Sequence, residues 1–210
     1  MKGYPTTFLG LFDPPTSDRP AITQIEIPII QRDYAQGRKD DEATLIRDRF
    51  LDALIAAARS DEGMGLDFIY GELRSGVLRP LDGQQRLTTL FLMHWYIASR
   101  AQTLDSNAAW LCFSYATRPT ARSFTAALAT HPYPGESQTP SEWITDQPWY
   151  LYPWRQDPTI ASMLVILDAI HIRFAGRDDE FTAIWQRLER RPTESSPGAI
   201  WFLFLPVEDM

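Results

Sequence analysis

The sequence predicts an α+β fold, in which a small mixed sheet with flanking helices is followed by a mainly helical region. Residues 22–27 alternate apolar and polar side chains, the pattern of a half-buried strand. Residues 84–100 form a strongly amphipathic segment, with Leu87 and Leu90 among the apolar side chains that recur at helical spacing. The apolar segment 199–205 predicts one more strand, which could return to the sheet.

The first half is predicted to hold the sheet. Its elements are an extended lead-in over 1–21, a strand over 22–27, a polar loop over 31–40, a helix from Asp40 or Asp41 through about Ser60, and strands over 67–73 and 77–81. The buried face of this helix is predicted to hold Ile46, Phe50, Leu54 and Ala57 or Ala58. We expect Ser75 and Gly76 to join the last two strands as a hairpin. The helix over 84–100 follows.

The second half is predicted to be mainly helical. Its elements are a strand over 110–115, a helix over 120–130, a brief helix capped by Ser141, a helix starting at Pro158, a helix over 178–190 and the last strand. Asp157 is expected to cap the helix that Pro158 begins. We therefore predict a core over 1–104 and a helical region over 105–210, which could pack together as one domain.

The composition limits the function classes. The chain has 210 residues, is 44% apolar and 22% charged, and carries a net charge of −7, so binding to DNA would need a local basic patch or a basic partner. The single cysteine, Cys112, excludes an internal disulfide and a cysteine-based zinc site, and we expect it in the core. No signal peptide is recognised and the longest apolar run, 199–207, is too short for a membrane span, which favours the cytoplasm.

The most informative motif is the run LDGQQRLTT, which covers residues 81–89. A predicted strand enters it and the amphipathic helix leaves it. A strand, a glycine-containing turn and a helix N-terminus form a common anion site, because backbone N–H groups and the positive end of the helix dipole face the ligand. Arg86, in the first helical turn, would add a guanidinium suited to phosphate. The motif therefore predicts a phosphate-binding turn.

A second interpretation of this turn needs no ligand. Asp82 could be the N-cap of the helix, with Gln85 completing a capping box. Such a cap does not require Gln84, Arg86 or Thr88 beside it. The two interpretations are compatible, since the same donors could serve both.

The LDGQQRLTT motif and the earlier run IPIIQRDY, residues 27–34, resemble the N-terminal domain of GmrSD-type proteins, which are bacterial modification-dependent restriction and phage-defence factors. The resemblance implies a fold like that of the ParB/sulfiredoxin group, in which such a turn holds nucleotide phosphates. In this family an HNH-type nuclease region follows the domain. Here the three histidines are scattered and no such site is recognised, so the nuclease partner is expected to be absent from this chain.

The motifs and the resemblance together define a candidate site for a nucleoside triphosphate. The predicted catalytic residues are Asp82, Gln84, Gln85 and Arg86, and the predicted nucleotide- or phosphate-binding residues are Gln31, Arg32, Tyr34, Gly83 and Thr88. Asp82 would hold Mg²⁺, directly or through water. One of the two glutamines would orient the attacking water. A loop salt bridge from Arg32 to Asp33 or Asp82 is the alternative for the first motif.

Other clusters have structural alternatives. Arg118 and Arg122 either face nucleotide or DNA or are solvated arginines on a capped helix, with the second slightly favoured. The aromatic cluster over 143–154 is interpreted as packing or an interdomain surface rather than base stacking. His94 and His171 lie on apolar helix faces and are interpreted as core or boundary residues.

Three functions follow from this pattern. The leading hypothesis is an NTP-binding and NTP-hydrolysing domain that regulates a nuclease domain or partner acting on modified foreign DNA. The alternative is a module that binds DNA or senses its modification without turnover. The third hypothesis is a metal-dependent DNA nuclease.

Overall fold

One mixed sheet organises the chain. The computed structural model describes residues 3–17, 19–28, 41–135, 138–193 and 198–207. The strands of the sheet are β1 (Tyr4–Thr7), β2 (Gln24–Ile27), β3 (Met64–Arg74), β4 (Val77–Asp82), β5 (Phe113–Tyr115) and β6 (Ile200–Val207), in the spatial order β1-β6-β3-β4-β2-β5. β2 runs parallel to both β4 and β5, whereas β3 runs antiparallel to β4. The carboxyl ends of β4, β2 and β5 therefore lie at one edge of the sheet.

The helices surround a long central helix. They are α1 (Asp41–Arg59), α2 (Gln84–Arg100), α3 (Pro119–Thr130), α4 (Pro140–Thr145), α5 (Pro158–Arg173) and α6 (Phe181–Glu189), with short 3-10 helices at Leu9–Phe12, Ala109–Leu111, Tyr152–Gln156 and Asp178–Glu180. Every residue of α2 from Leu87 to Ser99 is buried, and the helix packs against α5 and α6. The α+β prediction is confirmed, and α2 has its predicted bounds.

The two faces of the sheet differ in exposure. Ile25, Ile69 and Leu78 on one face are fully buried in the hydrophobic core. The other face carries exposed apolar side chains, namely Phe68, Leu81, Leu203 and Val207. The core therefore lies on the helix-covered face.

Several local predictions are confirmed. Ser75 and Gly76 join β3 to β4 with φ values of 51° and 80°, as a two-residue hairpin turn requires. Asp157 caps α5, since its carboxylate accepts from the backbone N–H groups of Thr159 and Ile160. The His94 ring is buried, its Nδ1–H donates to the Leu90 carbonyl over 2.7 Å, and burial lowers its pKa to about 4.

The aromatic residues near α4 and α5 pack mainly against one another, as predicted. Trp149 stacks on His131 with a centroid separation of 4.5 Å, and Trp154 meets Phe124 edge-on. His171 is half-buried, and its Nδ1 lies 2.9 Å from the Tyr96 hydroxyl. These contacts stabilise the helical side of the molecule.

Long-range pairing changes two predictions. The lead-in over 1–21 is not extended throughout: it contains β1, which pairs antiparallel with the distant β6, and then the 3-10 helix Leu9–Phe12. The predicted strand over 110–115 is likewise divided into the 3-10 helix Ala109–Leu111 and the three-residue β5. Cys112 lies between these two elements and is exposed, so its predicted core position is wrong.

Two helices differ from prediction in detail. The predicted Leu54, Ala57 and Ala58 are buried on α1, and Phe50 is partly buried against the core. Leu51 and Ile55 are buried beside them, whereas the predicted Ile46 is 56% exposed. The cap of α4 is Thr139 rather than Ser141; its hydroxyl and the Glu142 side chain form a capping box.

Strands from both predicted regions share the sheet. β5 and β6 follow residue 104 in sequence, yet β5 pairs with β2 and β6 pairs with β1 and β3. The division of the chain at residue 104 stays a prediction. Within the described ranges no single helix is long and apolar enough to cross a membrane, and one bent helix pair, Pro158–Arg173 with Asp178–Glu189, passes that test on combined length and composition alone.

Candidate functional site

The candidate site lies where three parallel strands end. β4 ends at Asp82, β2 at Ile27 and β5 at Tyr115. The Ala116 N–H donates to the Ile27 carbonyl over 2.9 Å, which continues the β2–β5 pairing to this edge. Ligands of α/β sheets commonly bind outside the carboxyl ends of parallel strands, because loops and helix N-termini meet there. The position of the LDGQQRLTT motif agrees with that rule.

Gly83 forms the turn between β4 and α2. Its φ of 85° lies in the left-handed region, and a Cβ at this position would come within 2.7 Å of the Ile69 Cγ1 atom. Glycine alone avoids both the strained backbone and the contact. The Leu87 N–H donates to the Gly83 carbonyl over 2.9 Å and closes the first turn of α2. The turn thus brings the start of the helix directly against the sheet.

The N-cap of α2 is Gly83, which has no side chain with which to cap the helix. The capping box of Asp82 and Gln85 is therefore not formed, because the left-handed Gly83 separates Asp82 from the N-cap position. The first N–H groups of a helix lack partners within it, and the positive end of the α2 dipole points toward the strand ends.

Asp82 pairs with Arg86 across this turn. The Arg86 Nη2 lies 2.7 Å from the Asp82 Oδ2, and its Nη1 lies 4.0 Å from the Asp67 Oδ2. The Arg86 side chain is 21% exposed, whereas those of Asp82 and Asp67 are 48% and 92% exposed. Solvated pairs of this kind contribute only about 0–1 kcal/mol. The Arg86 guanidinium could therefore leave Asp82 and bind an anionic ligand instead, at small energetic cost.

Gln84 and Thr88 fasten the first turn of α2 to its surroundings. The Gln84 Nε2 donates to the Pro80 carbonyl over 2.9 Å, which links the helix start to β4. The Thr88 hydroxyl donates to the Gln84 carbonyl over 3.0 Å and lies 3.1 Å from the Tyr115 hydroxyl. Thr88 is 1% exposed, so its hydroxyl bonds within the protein. Gln85 is partly buried, and its carbonyl accepts from Thr89 over 3.0 Å.

The predicted site residues fall into two groups. The structure brings Asp82, Gly83, Gln84, Gln85 and Arg86 together in one turn, with Thr88 one helical turn further on. The first-motif residues Gln31, Arg32 and Tyr34 lie outside the described residues. The chain leads into that segment from the carboxyl end of β2, which is flanked by β4 and β5.

The β5–α3 junction forms the far side of this edge. The Arg122 guanidinium donates to the carbonyls of Tyr115 and Ala116 over 3.1 and 2.7 Å, so it holds the loop together. The Arg118 Nη1 lies 3.7 Å from the buried Asp157 carboxylate. Both guanidinium groups therefore bind protein oxygens, and α3 has no side-chain cap at its N-cap Arg118, so the capped helix with solvated arginines is not what the structure shows.

Tyr115 lies at this edge of the sheet, and its residue pattern predicts no function for it. Its ring is 1% exposed, and burial raises the pKa of its hydroxyl above the ordinary value, so the group stays protonated. The sequence pattern indicates a strand at Tyr115, but only the fold brings its hydroxyl to Thr88, 27 positions earlier in the chain.

Asp82 is the best-placed residue for a magnesium ion. The described part of the chain contains no group of three or more His, Cys, Asp or Glu side chains that could hold a metal. Mg²⁺ often binds one or two carboxylates and completes its shell with water and phosphate oxygens. The half-exposed carboxylate of Asp82 fits that kind of shared site better than a site formed by protein ligands alone.

A comparison with protein-family models identifies the family of the chain. A family model described as the GmrSD restriction endonuclease, N-terminal domain, matches residues 11–193. The chain belongs to this family. The GmrSD match begins within the first 3-10 helix and extends through α6, so it includes the whole LDGQQRLTT motif. Membership of the GmrSD N-terminal family indicates a component of a restriction or defence system. Searches of curated proteins and of solved structures gave no match.

Proposed function

We propose that this domain binds and hydrolyses a magnesium-bound nucleoside triphosphate in the cytoplasm, and thereby controls the nuclease of a restriction system. The nuclease would be an HNH-type domain or subunit that acts on modified foreign DNA. One observation carries the proposal: the N-terminus of α2, which begins at the glycine N-cap Gly83, and the Arg86 guanidinium share one turn at the carboxyl ends of three parallel strands. Family membership supports the restriction context.

Charge balance favours a triphosphate that several groups share. A helix N-terminus supplies only about half a positive charge, so it cannot offset the charges of a triphosphate alone. Arg86 would turn from Asp82 to the phosphate oxygens and bind them through its planar fork of donors. Asp82, once released, would be available to Mg²⁺. Arg32 of the first motif is the second cation proposed for this site.

The glutamines are proposed to act on the attacking water. The Gln84 side chain is oriented by its bond to the Pro80 carbonyl, which places its Nε2 toward β4. Its Oε1 would accept a hydrogen bond from the water, or Gln85 would do so. The water oxygen would then bond to the γ-phosphorus as the bond from that phosphorus to the β–γ bridging oxygen breaks. The electron pair of that bond leaves with the nucleoside diphosphate, and the water gives up a proton to the phosphate that is released. Bound Mg²⁺ would offset charge on the β- and γ-phosphates.

Arg86→Ala is the variant that tests this site. The purified chain would be titrated with GTP, ATP and CTP in the presence of Mg²⁺ by calorimetry, and phosphate release would be measured. We expect the wild type to bind at least one nucleotide and Arg86→Ala to bind it about tenfold or more weakly, the effect of losing a charged hydrogen bond.

Arg79→Ala is the matched control. Arg79 lies on β4, the strand that leads into the turn, and its Nε pairs with the Glu26 carboxylate over 2.8 Å. Its loss removes a comparable ion pair and should change nucleotide affinity less than twofold. Equal binding by Arg86→Ala and the wild type would contradict the site.

The alternative functions give different results in the same assay. A folded chain that ignores all three nucleotides but retards DNA in a salt-sensitive manner would be a DNA-binding or modification-sensing module. Metal-dependent nicking of DNA that is lost in Asp82→Asn would indicate a nuclease. The net charge of −7 favours the nucleotide over DNA as the ligand of this chain.

A further inference from the structure

We propose that Tyr115 is a positioning residue of the nucleotide site, which holds the first turn of α2 in its phosphate-binding orientation through Thr88. The inference rests on the proposed function and extends the site to a strand of the second predicted region. In this proposal the Thr88 hydroxyl binds the backbone carbonyl of Gln84 and does not bind the ligand.

The hydrogen-bond chain has one direction. The Gln84 carbonyl oxygen can only accept, so the Thr88 hydroxyl donates its single hydrogen across their 3.0 Å separation. Thr88 Oγ1 must then accept from the Tyr115 hydroxyl, which lies 3.1 Å away. The chain therefore runs from Tyr115 to Thr88 to Gln84. It ends on the backbone of the first residue of α2.

Burial makes this chain difficult to replace. Tyr115 and Thr88 are each 1% exposed, so solvent has little access to either hydroxyl. Because burial raises the pKa of the Tyr115 hydroxyl, the group stays a donor throughout the neutral range. A variant that lacks the Tyr115 hydroxyl leaves Thr88 Oγ1 without one of its two hydrogen bonds, and water has little access to replace it.

Tyr115 is itself held in place. Arg122 binds the carbonyls of Tyr115 and Ala116, and the Ala116 N–H donates to β2. The Tyr115 ring meets the Phe113 ring edge-on at a centroid separation of 6.1 Å. The backbone and ring of Tyr115 are fixed independently of its hydroxyl. The hydrogen bond from that hydroxyl to Thr88 therefore holds the first turn of α2 at a fixed position relative to the end of β5.

Tyr115→Phe removes this hydroxyl and little else. Thr88→Val removes the middle hydroxyl, and Thr88→Ser restores it. Tyr96→Phe is the matched control, because Tyr96 is also a buried tyrosine, and its hydroxyl bonds to His171 instead. Two measurements are made on each full-length variant: hydrogen–deuterium exchange of the peptide covering Gln84 to Thr88, and calorimetric affinity for the magnesium nucleotide that the wild type prefers.

We expect Tyr115→Phe and Thr88→Val to speed exchange in this peptide and to weaken nucleotide binding, each about three- to tenfold, the usual range for one buried hydrogen bond. Thr88→Ser and Tyr96→Phe should stay within about twofold of the wild type in both measurements. Unchanged exchange in Tyr115→Phe would overturn the positioning role. Faster exchange with unchanged affinity would overturn its link to binding.

The two proposals can fail separately. If the wild type binds no nucleotide, the proposed function is wrong, and the exchange measurement alone then decides whether Tyr115 positions the turn. If the wild type binds nucleotide but Tyr115→Phe matches Tyr96→Phe in both measurements, the site stands and the positioning role is wrong.

Discussion

At the residue scale, Gly83 determines whether the candidate site can form. Its left-handed φ and its close approach to Ile69 are separate constraints: the first concerns the backbone, and the second concerns packing between the turn and β3. Gly176 has a similar φ of 71°, but a Cβ there would meet no atom within 4 Å. The two glycines therefore allow the two constraints to be measured apart.

Gly83→Ala is expected to destabilise the protein by about 2–4 kcal/mol, as the sum of backbone strain and a clash with Ile69. Gly176→Ala should lose only about 1 kcal/mol, from backbone strain alone. Urea unfolding of both variants gives the comparison. Equal losses would show that the contact between Gly83 and Ile69 relaxes freely.

At the element scale, the N-cap of α5 connects more than one helix. The Asp157 Oδ1 accepts from the Thr159 and Ile160 N–H groups over 2.8 and 3.3 Å. Its other oxygen accepts from the Thr120 hydroxyl of α3, and Arg118 lies nearby. Asp157 is 7% exposed, so these partners replace water around a buried carboxylate. The cap of the six-residue α4 at Thr139 lies closer to the surface.

Asp157→Ala is expected to lower the free energy of unfolding by about 2–3 kcal/mol, because it removes a cap and leaves the Thr120 hydroxyl without its acceptor. Thr139→Ala, the control, should lower it by about 0.5–1 kcal/mol, the usual range for a lone cap. Thermal and urea unfolding would measure both. A larger loss in Thr139→Ala would contradict the linking role of Asp157.

At the scale of the whole molecule, the two ends of the sequence meet in one sheet. β6 lies between β1 and β3, and it pairs with β3 along its full length. α2 also packs against the later helices α5 and α6, and its Phe91 ring stacks on Phe113 of β5 with a centroid separation of 4.6 Å. A chain that ended at residue 104 would lose the neighbour of β1 and expose much of the apolar surface of α2.

A fragment of residues 1–104 is therefore expected not to fold on its own. Its circular dichroism signal should show no cooperative thermal transition, whereas the full chain should show one. Mixing the fragment with residues 105–210 is the control, and a restored transition would indicate that the missing strands and helices are the cause. Cooperative melting of the isolated fragment would support an independent core over 1–104.

The sequence by itself determined the features that depend on near neighbours. Helical spacing gave the bounds of α2, Ser75-Gly76 gave the hairpin, and Asp157-Pro158 gave the start of α5, because caps, turns and amphipathic faces are local properties. The LDGQQRLTT motif likewise indicated a strand, a turn and a helix, and with its family resemblance it indicated GmrSD membership, which the family match confirmed.

Only the tertiary structure decided which distant residues meet. It paired β1 with β6, exposed Cys112, left Ile46 of α1 exposed and brought the Tyr115 hydroxyl to Thr88. It also gave Asp82 an ion-pair partner in Arg86 and left α2 without the expected capping box. These outcomes depend on the order of strands in the sheet and on which side chains pack together. The spacing of residues along the chain does not specify either of these.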